Sequence, residues 1–462
     1  MTAERSSTLA GHRLAGVLVH PMKPLQPSRR DLLRLPAAAA TLAPFVLSRQ
    51  ARAQQKTFKI AVWTHPVAGY DPWFEGVYAN QWGERHDTRV TVDRFGSEQI
   101  SAAASAEVKA GDGHDLFMFP WPPAVFHQHA IDHREVYEAV SYRHGDLPEF
   151  AHKSTFHPRT KQYFAFADSW TPAPLHFWQD LWAEANTPLG PSTYDTLRAG
   201  VRKIRLAHGV PCGLSLARGL ESNITLQSIL WGFRTGFQDV DGNVSINSSY
   251  MTIQALKYVK ALYEDAKSPE ALAWGPAGNV QAMLARKVSC TINGIGLLRT
   301  AEAQAPELAS NILLRPPLLG PAGILGAPYV TSCWVVWNFA RNKAGAKQFL
   351  VDLIDNSRMV FEKSQSSNFP TYQDTVPDLI NRLAKDPNGG PFRKYWELKD
   401  ALHWTRHLGY PGFTTPEVME VFDTFVIPKM FASVVTGDLT PEDAARAAEN
   451  QIKRIFDKWR PA

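Results

Sequence analysis

The stretch Phe58-Lys59-Ile60-Ala61-Val62-Trp63 is a short apolar run that opens a regular alternation of strands and helices. A loop follows it, and a helix is predicted from Pro72. Further strands are predicted at 90–93 and 115–119, with an alanine-rich, helix-prone segment at 100–109 between them. This order of elements is typical of βαβ units that build a largely parallel sheet.

The same alternation continues to the end of the chain. Extended runs at 163–166 and 175–178 are separated by residues 167–172, which we interpret as a crossing between two domains. Strands are also predicted at 213–216, 288–292 and 333–337. The last helix has the clearest signals: Thr440 is a good N-cap, and Pro441 suits the first turn.

The amino terminus has the pattern of an export signal. Arg29-Arg30 precede an uncharged apolar stretch at 35–47, which is too short for a membrane-spanning helix. Ala51-Arg52-Ala53 supplies an A-x-A cleavage site, so residues 1–53 are predicted to be a twin-arginine (Tat) signal peptide, with Met22 as an alternative start. The absence of a cysteine near this site predicts a soluble, periplasmic protein without a lipid anchor.

Composition narrows the class of function. Residues 1–53 hold 8 of the 49 Lys/Arg and 2 of the 44 Asp/Glu, so residues 54–462 carry a formal net charge of −1. The chain therefore lacks the excess of basic residues that nucleic-acid binding needs. Its 3 cysteines are isolated, which disfavours a disulfide framework or a zinc ribbon, and Cys290 and Cys333 lie in apolar runs. No cofactor is predicted, and the 14 Trp, 13 Tyr and 24 Phe are enough for both a core and a stacking site.

Several motifs, in this order, resemble those of the family 1 extracellular solute-binding proteins of ABC importers, the group that includes maltose-type sugar binders. They are the opening strand and loop 58–70, Asp115-Leu116-Phe117, Leu175-His176-Phe177-Trp178-Gln179-Asp180-Leu181, Pro191-Ser192-Thr193-Tyr194-Asp195-Thr196-Leu197, Thr291-Ile292-Asn293-Gly294, and the helices at 343–353 and 439–459. The resemblance covers nearly all of the chain after the signal. It departs from many sugar binders at Ile295 and Gly296, where those proteins have a tryptophan shortly after Asn-Gly.

The resemblance implies a two-lobed α/β fold, with a mostly parallel sheet in each lobe and a ligand cleft between them. We assign 57–167 and 329–388 to lobe one, and 168–328 and 389–462 to lobe two. It also implies a monomer that closes on its ligand by hinge motion and delivers that ligand to an inner-membrane ABC permease.

Candidate ligand-binding residues follow from the rule that ligands of α/β sheets bind beyond the carboxyl ends of strands. Carboxylates and aromatic rings on such loops suit a polyhydroxy ligand, since they accept from hydroxyls and cover the apolar face of a ring. The predicted contacts, from loops and from the segment before the last helices, are His65, Tyr70, Trp73, Trp121, Asp168, Trp170, Glu221, Asn293, Trp404 and Tyr410.

Other chemistries are considered and given less weight. His127, His129 and His133 invite a metal site but lack an acidic or cysteine partner at suitable spacing. Asp239-Val240-Asp241-Gly242-Asn243 imitates the start of a calcium loop without its final glutamate. The leading hypothesis is binding of a sugar or similar small polar solute without catalysis. The alternatives are a binder of a cationic or zwitterionic solute or an oligopeptide, and a Tat-exported periplasmic hydrolase.

Overall fold

A computed structural model describes residues 56–247 and 249–460 of the 462-residue chain. The predicted signal peptide and its cleavage site lie outside these residues. The strands are β1 (Lys56–Trp63), β2 (Thr88–Phe95), β3 (Leu116–Phe119), β4 (Phe156–His157), β5 (Gln162–Tyr163), β6 (Phe166–Pro172), β7 (Leu175–Trp178), β8 (Cys290–Ile292), β9 (Ile312–Arg315), β10 (Leu319–Gly320), β11 (Gly323–Ile324), β12 (Pro328–Val336) and β13 (Phe369–Pro370).

Helices pack around these strands. They are α1 (Tyr70–Trp73), α2 (Asn80–Arg85), α3 (Ile100–Ala110), α4 (Arg134–His144), α5 (Glu149–Thr155), α6 (Gln179–Glu184), α7 (Tyr194–His208), α8 (Leu220–Gly232), α9 (Tyr250–Ala266), α10 (Gly278–Leu284), α11 (Gly296–Gln304), α12 (Pro306–Ser310), α13 (Lys343–Asp355), α14 (Ser357–Lys363), α15 (Leu379–Ala384), α16 (Ala401–Trp404), α17 (Pro416–Asp423), α18 (Val426–Val435) and α19 (Pro441–Trp459). A π-helical turn covers Phe74–Ala79, and 3-10 turns cover Ala124–His129, Pro269–Leu272, Gln373–Thr375 and Lys394–Leu398. None of the described helices is long and apolar enough to cross a membrane.

Two sheets organise the molecule. A six-stranded sheet has the order β13-β6-β12-β3-β1-β2, and a three-stranded sheet has the order β8-β7-β9. The chain passes from the first to the second between β6 and β7 and returns into the first along β12. The two sheets confirm the predicted two-part α/β architecture, while the exact lobe boundaries stay a prediction.

Strand direction differs from the expectation of mostly parallel sheets. Among the described strands, the parallel neighbouring pairs are β1–β2 and β1–β3, whereas β12 is antiparallel to β3 and β6, and β7 is antiparallel to both β8 and β9. The reason is topological, because β12 enters the large sheet from the side of the small one. A continuous apolar run shows that a strand is buried on both faces, but it does not encode the direction of the strand.

The structure differs from the sequence-based prediction in two segments. Residues 167–172, expected as a break, belong to β6 and pair with β12, so the crossing itself is a strand. The strand predicted at 213–216 does not form; Gly213 donates to the Cys290 carbonyl at 2.8 Å, and Leu216 donates to the Ala271 carbonyl at 2.9 Å. These bonds go to two different segments, so no ladder develops.

The core and the helix ends follow the sequence closely. All residues of β3 are buried, as are the three cysteines. At the start of α19, the Thr440 hydroxyl accepts from the Asp443 backbone N–H at 3.1 Å, which confirms the predicted N-cap. The helix then buries Ala445, Ala448 and Ile452 against its neighbours.

Candidate ligand-binding site

The loop after β1 forms one side of the candidate site. The His65 ring stacks on the Tyr70 ring with centroids 4.1 Å apart. Asp71 fixes the loop, because its carboxylate oxygens accept from the His65 backbone N–H at 3.2 Å, and Arg94 approaches the same carboxylate at 3.6 Å. We call His65, Tyr70 and Asp71 the His65 wall.

Hydrogen bonds define the tautomer of His65. Its Nδ1 accepts from the Val67 backbone N–H at 3.0 Å, so Nε2 carries the proton and donates to Asn368 Oδ1 at 2.9 Å. Burial lowers the pKa of His65 from 6.5 to about 4, although both hydrogen bonds act in the opposite direction. The imidazole is therefore neutral at physiological pH, and both ring nitrogens are already occupied.

The loop after β8 meets this wall. A Cβ placed on Gly296 would lie 3.0 Å from Pro66 Cβ, and one on Gly294 would lie 2.7 Å from the Tyr329 ring. Glycine therefore permits both close approaches. Asn293 is buried and donates through Nδ2 to Asn279 Oδ1 at 3.4 Å, which holds it at the end of β8.

The far side of the site is built from α8 and α17. The Tyr329 hydroxyl donates to Glu221 Oε1 at 3.5 Å at the start of α8. Two residues on, Asn223 Nδ2 donates to the Phe422 carbonyl at 2.9 Å, and the Phe422 ring lies 6.2 Å from the partly exposed Trp121 ring. We call Trp121, Glu221, Asn223, Phe422 and Asp423 the carboxylate wall.

The protein environment disfavours the ionised form of both carboxyl groups in this wall, Glu221 and Asp423. Burial raises the pKa of Glu221, with the Tyr329 hydroxyl opposing the rise. Asp423 is exposed to solvent, yet the surrounding protein and then the nearby Glu420 raise its pKa to about 7.

Asp168 has an internal role in the structure. It is buried on β6 and accepts from Ser332 Oγ at 2.6 Å and from Trp334 Nε1 at 2.7 Å, both on β12. Burial raises its pKa, and these hydrogen bonds counter the rise. The carboxylate thus joins the two crossing strands.

Three predicted aromatic contacts are packed inside the protein. Trp73 lies beside Tyr78 at 5.6 Å, Trp170 is 2 % exposed beside Phe369, and Trp404 is 3 % exposed. Tyr410 is partly exposed and meets the Trp231 ring edge-on at 5.6 Å, at the opposite end of α8 from Glu221. The structure therefore brings together His65, Tyr70, Trp121, Glu221 and Asn293. It buries Trp73 and Asp168 next to Tyr70 and places Trp170, Trp404 and Tyr410 elsewhere.

Sequence reasoning missed Tyr329, Asn368 and Asp423. Tyr329 lies inside a long apolar strand and Asn368 in a short polar loop, and neither carries a motif. Asp423 ends an amphipathic helix, where a surface carboxylate is ordinary. Only tertiary structure reveals their position.

Of the three histidines considered as possible metal ligands, His133 has a structural role. His133 is fully buried, donates through Nδ1 to the Tyr163 carbonyl at 3.0 Å and accepts at Nε2 from the Val336 N–H at 3.0 Å. His127 and His129 belong to a 3-10 turn that ends before it. Among the described residues, no group of three or more potential metal ligands occurs.

A cavity of about 620 Å³ lies away from these walls, beside Arg299. Arg299, which lines it, binds Asp386 at 2.6 Å, and Lys394 binds Glu302 at 3.0 Å close by. This buried network joins α11 to residues beyond α15 and has the character of a structural anchor.

Comparison with known proteins identifies the class. The family model described as bacterial extracellular solute-binding protein matches residues 78–387. The chain belongs to this family. No curated protein gives a significant match to the sequence.

Several solved structures share the fold of this chain. A sugar transporter protein of Arthrobacter chlorophenolicus with bound laminaribiose matches with TM-score 0.70 and 13 % identity over 86 % of this chain and 99 % of that one. MalE3 of T. maritima with maltose has TM-score 0.69 and 18 % identity, and the match covers 86 % of this chain and 99 % of that one. A Thermotoga lettingae solute-binding protein with α-D-tagatose has TM-score 0.67 and 17 % identity, and the match covers 87 % of this chain and 99 % of that one. At these identities the similarity establishes the two-lobed solute-binding fold.

Proposed function

We propose that this solute-binding protein captures a carbohydrate or similar small polar solute between the His65 wall and the carboxylate wall. The observation that supports it best is the combination of partly exposed aromatic rings, at Tyr70 and Trp121, with the carboxylate and amide groups of the two walls, where the loops after β1 and β8 meet at Pro66 and Gly296. Structurally similar proteins hold laminaribiose, maltose and tagatose. Hydroxyl donors and an apolar ring face are what these side chains complement.

The binding experiment is a thermal-shift screen of residues 54–462. The panel contains maltose, laminaribiose, tagatose and ribitol, their amino-sugar counterparts, amino acids, betaines and divalent metals. A ligand that binds only the folded state raises the melting temperature by mass action. We expect stabilisation by members of one saccharide or polyol class. A screen in which no such solute acts, or only a metal does, contradicts the proposal.

We further propose that binding is not followed by catalysis and that the loaded protein delivers its solute to an ABC permease. The supporting observation is membership of a family of binding proteins. The stabilising solute should be recovered unchanged after prolonged incubation with micromolar protein, as judged by chromatography. Its conversion would favour the hydrolase alternative instead.

For localisation, we propose export by the Tat route and release into the periplasm without a lipid anchor. Arg29 and Arg30 before an uncharged apolar stretch support this. Replacing both with lysine should leave the precursor in the cytoplasm, whereas Arg34→Lys should be exported normally. Continued export of the double variant would exclude the twin-arginine route.

A further inference from the structure

Two of the three cysteines lie side by side in the interior. Cys212 and Cys290 are 78 residues apart in the sequence, yet their sulfur atoms are 3.7 Å apart and both side chains are buried. Cys333 is buried on β12, and no second cysteine contacts it among the described residues. Three cysteines that are isolated in the sequence therefore form one close pair and one single thiol in the fold.

Backbone hydrogen bonds hold the two segments of the pair as neighbours. The Ser289 N–H donates to the Pro211 carbonyl, and the Gly213 N–H donates to the Cys290 carbonyl, both at 2.8 Å, so these bonds flank Cys212. Hydrogen-bonded backbones in neighbouring extended segments lie about 4.8 Å apart. Disulfides join Cα atoms that are about 4.4–6.8 Å apart. The two segments therefore have the backbone spacing that a disulfide needs.

A glycine permits this close approach. A Cβ placed on Gly213 would lie 2.7 Å from the Cys290 carbonyl oxygen and 2.7 Å from Val288 Cγ2. The Thr291 hydroxyl adds another bond by donating to the Gly213 carbonyl at 2.8 Å. The backbone is thus fixed beside the pair, and a bond of about 2.0 Å requires the two thiols to turn toward each other.

We propose that Cys212 and Cys290 are an oxidation site, at which a disulfide-bearing oxidant such as oxidised glutathione produces one intramolecular disulfide. The Cys212 thiolate attacks one sulfur of the oxidant and releases the other sulfur as a thiol. The Cys290 thiolate then displaces the remaining half of the oxidant from this mixed disulfide. Two cysteine thiols are oxidised, the disulfide of the oxidant is reduced to two thiols, and the two protons pass to the released thiolates.

The environment of the two sulfurs sets the order of attack. Cys212 is 3 % exposed and lines a small apolar pocket, whereas Cys290 is 0 % exposed. Contact with Cys212 and then burial raise the pKa of the Cys290 thiol well above its ordinary value, so Cys290 remains protonated until the mixed disulfide forms. Both sulfurs lie too deep for contact with an oxidant in the native fold, so the reaction takes place during folding or local opening.

The cross-link joins the two supports of the carboxylate and amide groups of the candidate site. The chain after Cys212 leads into α8, which carries Glu221, and β8 leads from Cys290 to Asn293. A disulfide that spans 78 residues restricts the unfolded chain and stabilises the fold. Compartments outside the cytoplasm are oxidising and favour this state. The inference goes beyond the proposed function, because it concerns the scaffold and no solute.

The test refolds reduced residues 54–462 in a buffer of reduced and oxidised glutathione and then alkylates the remaining thiols under denaturing conditions. We expect one free thiol, at Cys333, in each folded chain and a peptide map that joins Cys212 to Cys290. The melting temperature should be about 5 °C higher than that of the same protein after reduction with dithiothreitol. Cys333→Ala is the matched control and should keep the cross-link and the shift, whereas Cys290→Ala should lose both.

The outcomes distinguish a disulfide from a mere contact. Three free thiols in the folded protein overturn the inference, and so does a cross-link that leaves the melting temperature unchanged or lowers it. The comparison of oxidised and reduced wild type does not depend on any variant, so a Cys290→Ala protein that fails to fold leaves the test decisive. None of these results bears on solute binding, which the thermal-shift panel tests separately.

Discussion

The two walls of the candidate site use similar residue types in opposite ways. In the His65 wall the imidazole and the carboxylate both have partners: both nitrogens of His65 are bonded, and Asp71 accepts from the backbone N–H of His65. In the carboxylate wall, Asp423 and Asn223 Oδ1 have no bonded partner among the described residues. The first wall is therefore a preorganised surface, and the second holds acceptors that a ligand satisfies. Substitutions in the first should act on stability, and those in the second on affinity.

The largest effect is expected at Trp121. Trp121→Ala removes the stacking face, and losing the buried aromatic area should weaken saccharide binding by about 2 kcal/mol, or roughly 30-fold. Fluorescence or calorimetric titration with the solute found in the thermal-shift screen measures it. Trp396→Ala, at a partly exposed tryptophan outside both walls, should leave affinity unchanged. Equal affinities for all three proteins would remove Trp121 from the site.

His65→Ala should act mainly on the free energy of unfolding. It removes the ring stacked on Tyr70 and leaves Asn368 Oδ1 and the Val67 N–H without their partner, which we expect to cost about 1.5–2 kcal/mol. Urea denaturation measures this loss. Asp423→Asn, in the other wall, is the comparison and should not lower stability. A stable His65→Ala protein would contradict the view of this wall as a fixed platform.

Glu221→Gln should cost less than Trp121→Ala. The amide retains an acceptor for Tyr329 but loses the charge, so affinity should fall by about 1 kcal/mol, or roughly fivefold. The same titration reports it, with Glu264→Gln on the outer face of α9 as control. An unchanged affinity would place Glu221 outside the ligand contacts and leave it as a group that positions Tyr329.

The two walls should also differ in the sign of the pH dependence of stability. His65, with its pKa lowered from 6.5 to about 4, is protonated first in the unfolded chain, so it costs stability as pH falls from about 6.5 to 4. Asp423, with its pKa raised from 3.8 to about 7, costs stability as pH rises through that interval. Relative to wild type, His65→Gln should gain stability toward pH 4 and Asp423→Asn toward pH 8. Gains that do not change with pH would contradict these assignments.

Much of the fold was predictable because burial and periodicity are local properties of the sequence. β1, β3 and α19 are found where apolar patterns and capping residues indicated them. The antiparallel insertion of β12 was not predictable, since strand direction depends on the path of the chain between sheets.

The candidate site was only partly predictable for a related reason. Position after a predicted strand selected the His65 loop, Trp121 and Glu221, although the strand expected before Glu221 does not form. The same rule also selected Trp73, and the predicted crossing supplied Trp170, but both are buried. A tryptophan after a strand has the same local pattern whether it faces solvent or packs inside. Asp423, at the end of a helix, could be found only from the three-dimensional arrangement of α8 and α17.

The most direct test of the central claim is a crystal structure of residues 54–462 with the solute that gives the largest thermal stabilisation. We predict density between the two walls, with a ring against Trp121, donor groups at Asp423 and Glu221, and His65 retaining its bond to Asn368. Density at any other site, such as the cavity beside Arg299, with both walls empty would contradict the account.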